Sequence, residues 1–154
     1  MIRSLSWQLI FVIALVAGFG QLRPIIDLDT PWHLQQAETV IEKRSASYPD
    51  TTSFTVPGRQ FENHPWLGQL ALYAAHSIAG FEGLSVLTAL FGFLLVGLIG
   101  FAAWEYSGRR PWTTLLTTAF VFPVVSWRLQ PRPLLFFLLF MPLALVLLRR
   151  YAYS

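Results

Sequence analysis

Long apolar runs alternate with short polar connections along most of this chain, and one long polar segment interrupts them. The apolar runs cover residues 1–23, 84–104, 111–127 and 134–148. As a helix, the run 84–104 would extend about 31 Å, which matches the roughly 30 Å hydrocarbon core of a bilayer. The pattern predicts an all-α, multi-pass transmembrane helical bundle of about four spans, with residues 24–83 forming a loop on one side of the membrane.

The first apolar run fits two kinds of segment. Arg3 precedes it, and the small residues Ala14 and Ala17 lie within it, as they would in a secretory signal peptide. A retained span is the favoured interpretation, because the rest of the chain is itself apolar enough to lie in a membrane. The signal peptide stays open as the alternative.

The polar loop contains two amphipathic helical patterns. The first begins at Thr30, a good N-cap, with Pro31 at the first helical position. The second begins after a cap at Asn63 or His64 and ends at Gly80, a residue that favours helix termination. Both patterns predict helices that lie in the membrane interface with one face against lipid or protein.

A small hairpin or loose turn is predicted between these two helices. Pro57-Gly58 is flanked by residues 53–56 and 59–62, which have the composition of short strands. Pro-Gly is not a preferred two-residue hairpin connection, so both descriptions stay open.

Composition places the chain among membrane proteins. It is 55% hydrophobic and 12% charged, and soluble domains carry about twice that charged fraction. The formal charge is +3, but the eleven basic residues are scattered singly or in pairs rather than gathered into a stripe, so nucleic acid is not an expected partner. No cysteine is present, which excludes disulfides, thiolate catalysis and cysteine-based zinc sites.

The arginine pairs predict the orientation in the cell membrane. Arg109-Arg110 and Arg149-Arg150 flank apolar runs at short connections, where basic residues favour the cytoplasmic side. This arrangement puts the N-terminus in the cytoplasm and the loop 24–83 on the outer side. Arg128 and Arg132 then lie on the same outer side as the loop.

Asp27 and Asp29, separated by one residue, are the candidate chemical groups. Two such carboxylates can share a cation, or divide into a base and a partner whose charge tunes the base. Partial desolvation at a membrane surface would raise one pKa towards neutrality. The simpler interpretation is that Asp29 assists the helix start and feels the helix dipole, while Asp27 is solvated.

Short motifs follow one another through the loop in a fairly specific order. They are Asp27-Leu28-Asp29-Thr30-Pro31-Trp32-His33-Leu34, Tyr48-Pro49-Asp50, Ser53-Phe54-Thr55, Gly58 and Asn63-His64-Pro65-Trp66-Leu67. This order resembles the first outer loop of bacterial GT-C glycosyltransferases, the polyprenyl-phosphate-sugar-dependent enzymes related to protein mannosyltransferases. The resemblance implies an acidic motif at the outer end of the first span, two helices along the membrane, and then a series of spans.

The resemblance also implies roles for individual residues. An aspartate of the first loop deprotonates the acceptor hydroxyl, which carries over to Asp29 or Asp27, with Asp29 favoured beside the helix start. His33 would orient that carboxylate or meet the donor phosphate, although an ordinary polar-face histidine is equally expected. Glu62 and His64 are the other substrate-binding candidates of the loop, and His64 is alternatively a helix cap.

Arg128 and Arg132 are substrate-binding candidates on physical grounds, because a leaving lipid phosphate needs cationic donors in a low-dielectric place. Interfacial anchoring is an equally weighted alternative. No residue is assigned to a metal, and a divalent cation remains an open possibility for the cofactor.

The resulting hypothesis is a single membrane domain over residues 1–154, part of a larger GT-C fold, divided at 1–23, 24–83 and 84–154. It would transfer a sugar from a polyprenyl-phosphate carrier to an acceptor glycan, lipid or protein on the outer face. The alternative is a non-catalytic accessory or assembly subunit that joins another membrane subunit. The short chain favours this alternative, and the acidic loop favours the enzyme.

Overall fold

The computed structural model describes the backbone of residues 2–152 and the side chains of residues 7–152. These residues are mainly helical, with one two-stranded ribbon, which confirms the all-α prediction in outline. In chain order the elements are α1 (Ile2–Phe19), α2 (Asp29–Lys43), β1 (Ser47–Pro49), β2 (Gln60–Glu62), α3 (Trp66–Tyr106), α4 (Pro111–Arg128) and α5 (Leu134–Ala152).

Helix α3 is the centre of the bundle and packs against each of the other four helices. Glycines allow the closest of these approaches. A Cβ on Gly18 of α1 would lie 3.0 Å from the backbone oxygen of Ala89 in α3, and one on Gly100 of α3 would meet the side chain of Ile10. Small residues at such positions are the usual way in which helices of membrane proteins come into contact.

A kink divides α3 into two arms. Ala79 and Gly80 leave the helical conformation, and Gly80 has φ +59°, a value that favours glycine. The predicted break at Gly80 is therefore confirmed. The predicted second helix of the loop and the span that begins at Leu84 are the two arms on either side of this kink.

The predicted hairpin is wrong in its first strand. Ser47–Pro49 pairs antiparallel with Gln60–Glu62, whereas residues 53–56 lie in the connection. The Asp50 carboxylate accepts hydrogen bonds from the backbone N–H groups of Thr52 and Ser53 at 2.8 and 3.0 Å, a side-chain turn that ends the strand. The hydrogen bonds from Ser53 and Thr52 also hold the pKa of Asp50 well below its ordinary range.

Both predicted helix caps are wrong. Helix α2 begins at Asp29 with Leu28 as its N-cap, and α3 follows Pro65, neither with a side-chain cap bond. Thr30 instead donates its hydroxyl to Asp27 Oδ2 at 2.8 Å. A hydrogen bond to an ionised carboxylate is stronger than a hydrogen bond between neutral groups. Asn63 is buried and turned towards other side chains.

Two described helices are long and apolar enough to cross a membrane, α3 and α5. The apolar part of α1 with described side chains, Trp7–Phe19, is shorter, and α4 contains four threonines. Large apolar side chains are nevertheless exposed on the outer faces of α1, α4 and α5, among them Phe11, Val16, Phe19, Leu116, Phe120, Val124, Phe137, Phe140, Leu147 and Leu148. Such a surface matches lipid better than water.

Candidate functional site

The candidate site forms where three connections meet: the segment after α1, the start of α2, and the turn between α4 and α5. Buried Leu129 and Pro131 hold the last of these in place, and the backbone N–H of Arg132 donates to the carbonyl of Gln130 at 2.7 Å. Gly68 of α3 lies directly against Pro133, which a Cβ at Gly68 would approach to 2.9 Å. The first arm of α3 thereby supports the turn that carries Arg132.

The guanidinium of Arg132 binds both predicted aspartates. Its Nε lies 3.1 and 3.0 Å from the two carboxylate oxygens of Asp27, and its Nη2 also contacts Asp27 Oδ1. Its Nη1 lies 2.8 Å from Asp29 Oδ2. The contact joins residues 105 positions apart in the chain, and it brings together three of the predicted site residues.

The two carboxylates differ sharply in exposure. The Asp27 side chain is 4% exposed and the Asp29 side chain is 56% exposed. Burial alone would raise the pKa of Asp27, but the hydrogen bonds from Arg132 and Thr30 and the charge of Arg132 outweigh it and lower that pKa. The same hydrogen bond to Asp27 raises the pKa of Arg132. Asp27 is thus a fixed anion, and Asp29 is the accessible one.

His33 lies one turn into α2, partly buried beside this cluster. The Gln69 side-chain amide donates to His33 Nδ1 at 3.2 Å, which leaves the ring proton of the neutral imidazole on Nε2. Burial lowers the pKa of His33; Asp29 opposes that shift, Arg132 adds to it, and Asp27 opposes it. His33 is therefore held as a neutral group with one free N–H donor.

A chain of buried polar side chains continues from His33 and was not predicted. Asn63 Nδ2 donates to Gln69 Oε1 at 2.7 Å and to the Tyr48 hydroxyl at 3.3 Å, and that hydroxyl donates to Gln36. Gln36, Asn63 and Gln69 are at most 3% exposed. The sequence contains no local signal for this chain of side chains, because a glutamine can be recognised as core-facing only once the helix contacts are known.

Three predicted site residues lie apart from the cluster. Glu62 accepts a hydrogen bond from Ser47 Oγ at 2.6 Å and lines a separate surface depression with His64. Arg128 ends α4 and is exposed. Among the described residues both aspartates pair with Arg132 and not with Arg128. The turn that follows Arg128 brings the chain to Asp27, so Arg132, which comes after that turn, is the arginine that pairs.

No protein-family model, curated protein or solved structure matches this chain. The chemistry of the cluster is therefore the basis for a function. Over the described part of the chain, no three His, Cys, Asp or Glu side chains are grouped as a metal-ion site. The cluster does combine an accessible carboxylate, a buried carboxylate, a shared cation and a neutral imidazole, which is a set suited to proton removal beside an anionic leaving group.

Proposed function

We propose that this chain carries the reacting end of a membrane glycosyltransferase, which moves a sugar from a polyprenyl-phosphate carrier to an acceptor hydroxyl on the outer face. The observation that carries the proposal is the single Arg132 guanidinium in contact with Asp27 and Asp29. The residues flank two different apolar helices, α1 and α5, so the cluster lies at the ends of the bundle, where a lipid-linked substrate arrives.

Asp29 is the proposed base. It lies 2.8 Å from Arg132 Nη1, and more than half of its side chain is exposed, so an acceptor hydroxyl can reach it. In the reaction the hydroxyl proton goes to Asp29 and the acceptor oxygen forms a bond to the anomeric carbon. The bond from that carbon to the phosphate oxygen breaks, and the polyprenyl phosphate leaves with the electron pair.

Asp27 and Arg132 are the proposed electrostatic support. Asp27 is nearly inaccessible and its pKa is lowered, so it does not take up the acceptor proton near neutral pH. It holds the guanidinium in position through two oxygens, a geometry that fixes both orientation and charge. Arg132 keeps 37% of its side chain exposed, which leaves donor groups for the phosphate of the carrier.

The ion pair also supports the proposed four spans. Asp27 follows α1 and Arg132 follows α4, so their contact requires both ends to lie on one side of the membrane. If the second arm of α3 crosses the bilayer, α4 has to cross back despite its threonines. Helices of 18 residues, such as α1 and α4, extend about 27 Å, close to the hydrocarbon thickness. The proposed orientation keeps the N-terminus in the cytoplasm.

A non-catalytic membrane subunit is the second candidate. The observation that favours it is the saturation of Asp27, whose oxygens accept from Arg132 and Thr30. In this case the ion pair only ties two loops together, and the exposed apolar faces of α4 and α5 bind a partner chain. This candidate assigns no function to the exposed part of the Asp29 carboxylate.

Transfer in reconstituted membranes distinguishes the two candidates. Membranes that hold the full chain are incubated with radiolabelled polyprenyl-phosphate-linked sugars, and loss of label from the carrier is followed. Wild type should release label, Asp29→Asn should abolish release, and Glu38→Gln, an exposed carboxylate of the same helix, should leave release unchanged. Equal release from wild type and Asp29→Asn removes Asp29 from the mechanism, and absence of release from wild type supports the subunit.

A further inference from the structure

A cavity of about 190 Å³ adjoins Asp27. It is formed by the segment that follows α1, the second arm of α3, the end of α4 and the turn before Arg132. A water molecule in the liquid occupies about 30 Å³. The cavity therefore has room for a group several times larger than water.

Gln21, one of the lining residues, carries a polar atom that has no protein partner. Gln21 is 4% exposed, and its Oε1 accepts no hydrogen bond, while its Nε2 donates to the carbonyl of Ser126 at 3.4 Å. Buried acceptors of this kind are normally satisfied. Gln21 lines the cavity, so a turn of its side chain would bring this acceptor to a ligand that has a hydroxyl or N–H donor.

The remaining walls are amphipathic. Trp127, 76% exposed, and buried Leu129 contribute apolar surface, while Ser85 and Thr88 contribute hydroxyls that already donate to backbone carbonyls. The Ser85 and Thr88 hydroxyl oxygens remain able to accept hydrogen bonds. Apolar and hydrogen-bonding walls together suit a small polyol such as a sugar better than a hydrocarbon.

The cavity also adjoins an apolar depression between the segment that follows α1 and the second arm of α3. Leu22, Phe81 and Val86 line the depression, and the two spaces share Arg23, Pro24, Ile25 and Ser85. An isoprenoid chain has an apolar path there, although the Glu82 carboxylate also borders it. Arg23, exposed at the junction, is the cation that favours a phosphate between the two spaces.

We propose that this cavity binds the sugar of the lipid-linked donor, with Gln21 accepting a sugar hydroxyl and Arg23 meeting the carrier phosphate. The inference rests on the proposed function and adds two binding residues to it. The sugar is then held next to the fixed Asp27 anion, on the inner side of the cluster, and the acceptor approaches from the exposed side of Asp29.

Binding of two probes to the purified full chain in nanodiscs tests the sugar site. One probe is a short-chain prenyl-phosphate hexose, and the other is the same prenyl phosphate without sugar, with titration calorimetry as the readout. Wild type should bind the hexose probe more tightly. Gln21→Leu should weaken only that probe, by about fivefold, the size of one neutral hydrogen bond.

Two further variants make the result specific. Arg23→Ala should weaken both probes, and Gln35→Leu, an exposed glutamine of α2, should change neither. Gln21→Leu removes a buried unpaired acceptor together with the long 3.4 Å hydrogen bond to the Ser126 carbonyl, so the melting temperature should change little. A weakened probe in a protein of nearly unchanged stability excludes misfolding.

Equal affinity of wild type for the two probes, or failure to bind either, overturns the proposal and leaves water only in the cavity. Equal loss of both probes in Gln21→Leu also overturns it. The outcome is independent of the transfer assay, since Asp29→Asn should keep wild-type probe binding. Transfer that survives in Asp29→Asn contradicts the proposed mechanism while the probe series still decides the sugar site.

Discussion

Arg132 contacts both aspartates of the candidate site, and the nearby Arg128 does not. Its guanidinium joins a buried carboxylate to an exposed one, and the two contacts have different consequences. The contact with Asp27 mainly concerns stability, because that anion has lost almost all of its water. The contact with Asp29 leaves a carboxylate oxygen accessible and concerns the proposed chemistry.

Arg132→Ala should destabilise the protein by about 2–3 kcal/mol. A broken buried pair costs roughly 3–5 kcal/mol, and the value is reduced here because 37% of the Arg132 side chain is exposed. Thermal unfolding in detergent measures the loss. The matched control is Arg128→Ala, which removes an exposed arginine and should change stability by less than about 0.5 kcal/mol.

The double variant Asp27→Asn with Arg132→Ala separates charge from packing. It should recover part of the stability lost in Arg132→Ala, since no uncompensated anion remains buried. A double variant that is less stable than Arg132→Ala would show that groups other than Arg132, such as the Thr30 hydroxyl, stabilise the Asp27 carboxylate.

His33 gives the pH dependence of stability a definite sign. Its pKa in the folded protein is lowered from 6.5, mainly by burial, so the unfolded chain takes up a proton first as pH falls below 6.5. Stability should decrease from pH 7 towards pH 5, by at most about 1.4 kcal/mol per pH unit. Melting temperatures across this range should show a flatter profile for His33→Gln, and an unchanged slope for His64→Gln, an exposed histidine.

At the scale of elements, buried amides connect α2, the ribbon and the first arm of α3. Gln69 joins His33 of α2 to Asn63, and Asn63 reaches Tyr48 of β1. These bonds give a short ribbon a fixed place against two helices. They also position the face of α2 that carries Asp29 and His33.

Gln69→Leu should therefore loosen this junction by about 1–3 kcal/mol, the cost of leaving buried polar partners unsatisfied. Thermal unfolding of the variant gives the loss, and Gln35→Leu is the exposed control in α2. A nuclear magnetic resonance signal of His33 that keeps its Nε2–H tautomer in Gln69→Leu would contradict the role of Gln69 in fixing the ring.

The kink of α3 is the second feature at this scale. A Cβ on Gly83 would collide with the Ala75 carbonyl oxygen of the preceding arm, whereas a Cβ on Gly97 would meet no atom within 4 Å. The two arms can fold towards each other only because residue 83 lacks a side chain.

Gly83→Ala should cost about 1–3 kcal/mol, as expected for overpacking against backbone, and should reduce transfer because the first arm supports the Arg132 turn. Gly97→Ala, in the same helix, should be neutral or slightly stabilising. Equal stabilities of the two variants would mean that the kink does not depend on the close approach.

For the whole molecule, the ion pair constrains the proposed membrane topology. Two helices are apolar enough to span by composition, and hydropathy alone leaves α1 and α4 undecided. The Asp27–Arg132 contact requires the residues after α1 and after α4 to lie on the same side.

Single cysteines test this topology without background, because the chain has no native cysteine. Thr51→Cys and Arg128→Cys should react with a membrane-impermeant maleimide in intact cells, and Arg110→Cys only after permeabilisation; all three positions are exposed. Reaction of Thr51→Cys and Arg128→Cys from opposite sides of the membrane would contradict the proposed four-span arrangement. It would also contradict the Asp27–Arg132 ion pair, which requires both residues to lie on one side.

Local information in the sequence determined the helices and the break at Gly80, and it singled out Asp27 and Asp29 as candidates, because apolar periodicity, glycine and charge act within a few residues. It failed where long-range contacts compete with local preference. Thr30 bonds Asp27 rather than capping a helix, and Ser47–Pro49 replaces residues 53–56 as the strand.

Only the tertiary structure decided which arginine belongs to the site and which polar residues support it. Arg128 and Arg132 both lie near the junction of α4 and α5, and only the second is brought to the carboxylates by the turn at residues 129–131. The same folding buries Gln21, Gln69 and Asn63, whose roles depend on partners far away in the chain. Exposure and pairing are properties of the packed molecule, so no pattern along the sequence could separate the buried Asp27 from the accessible Asp29.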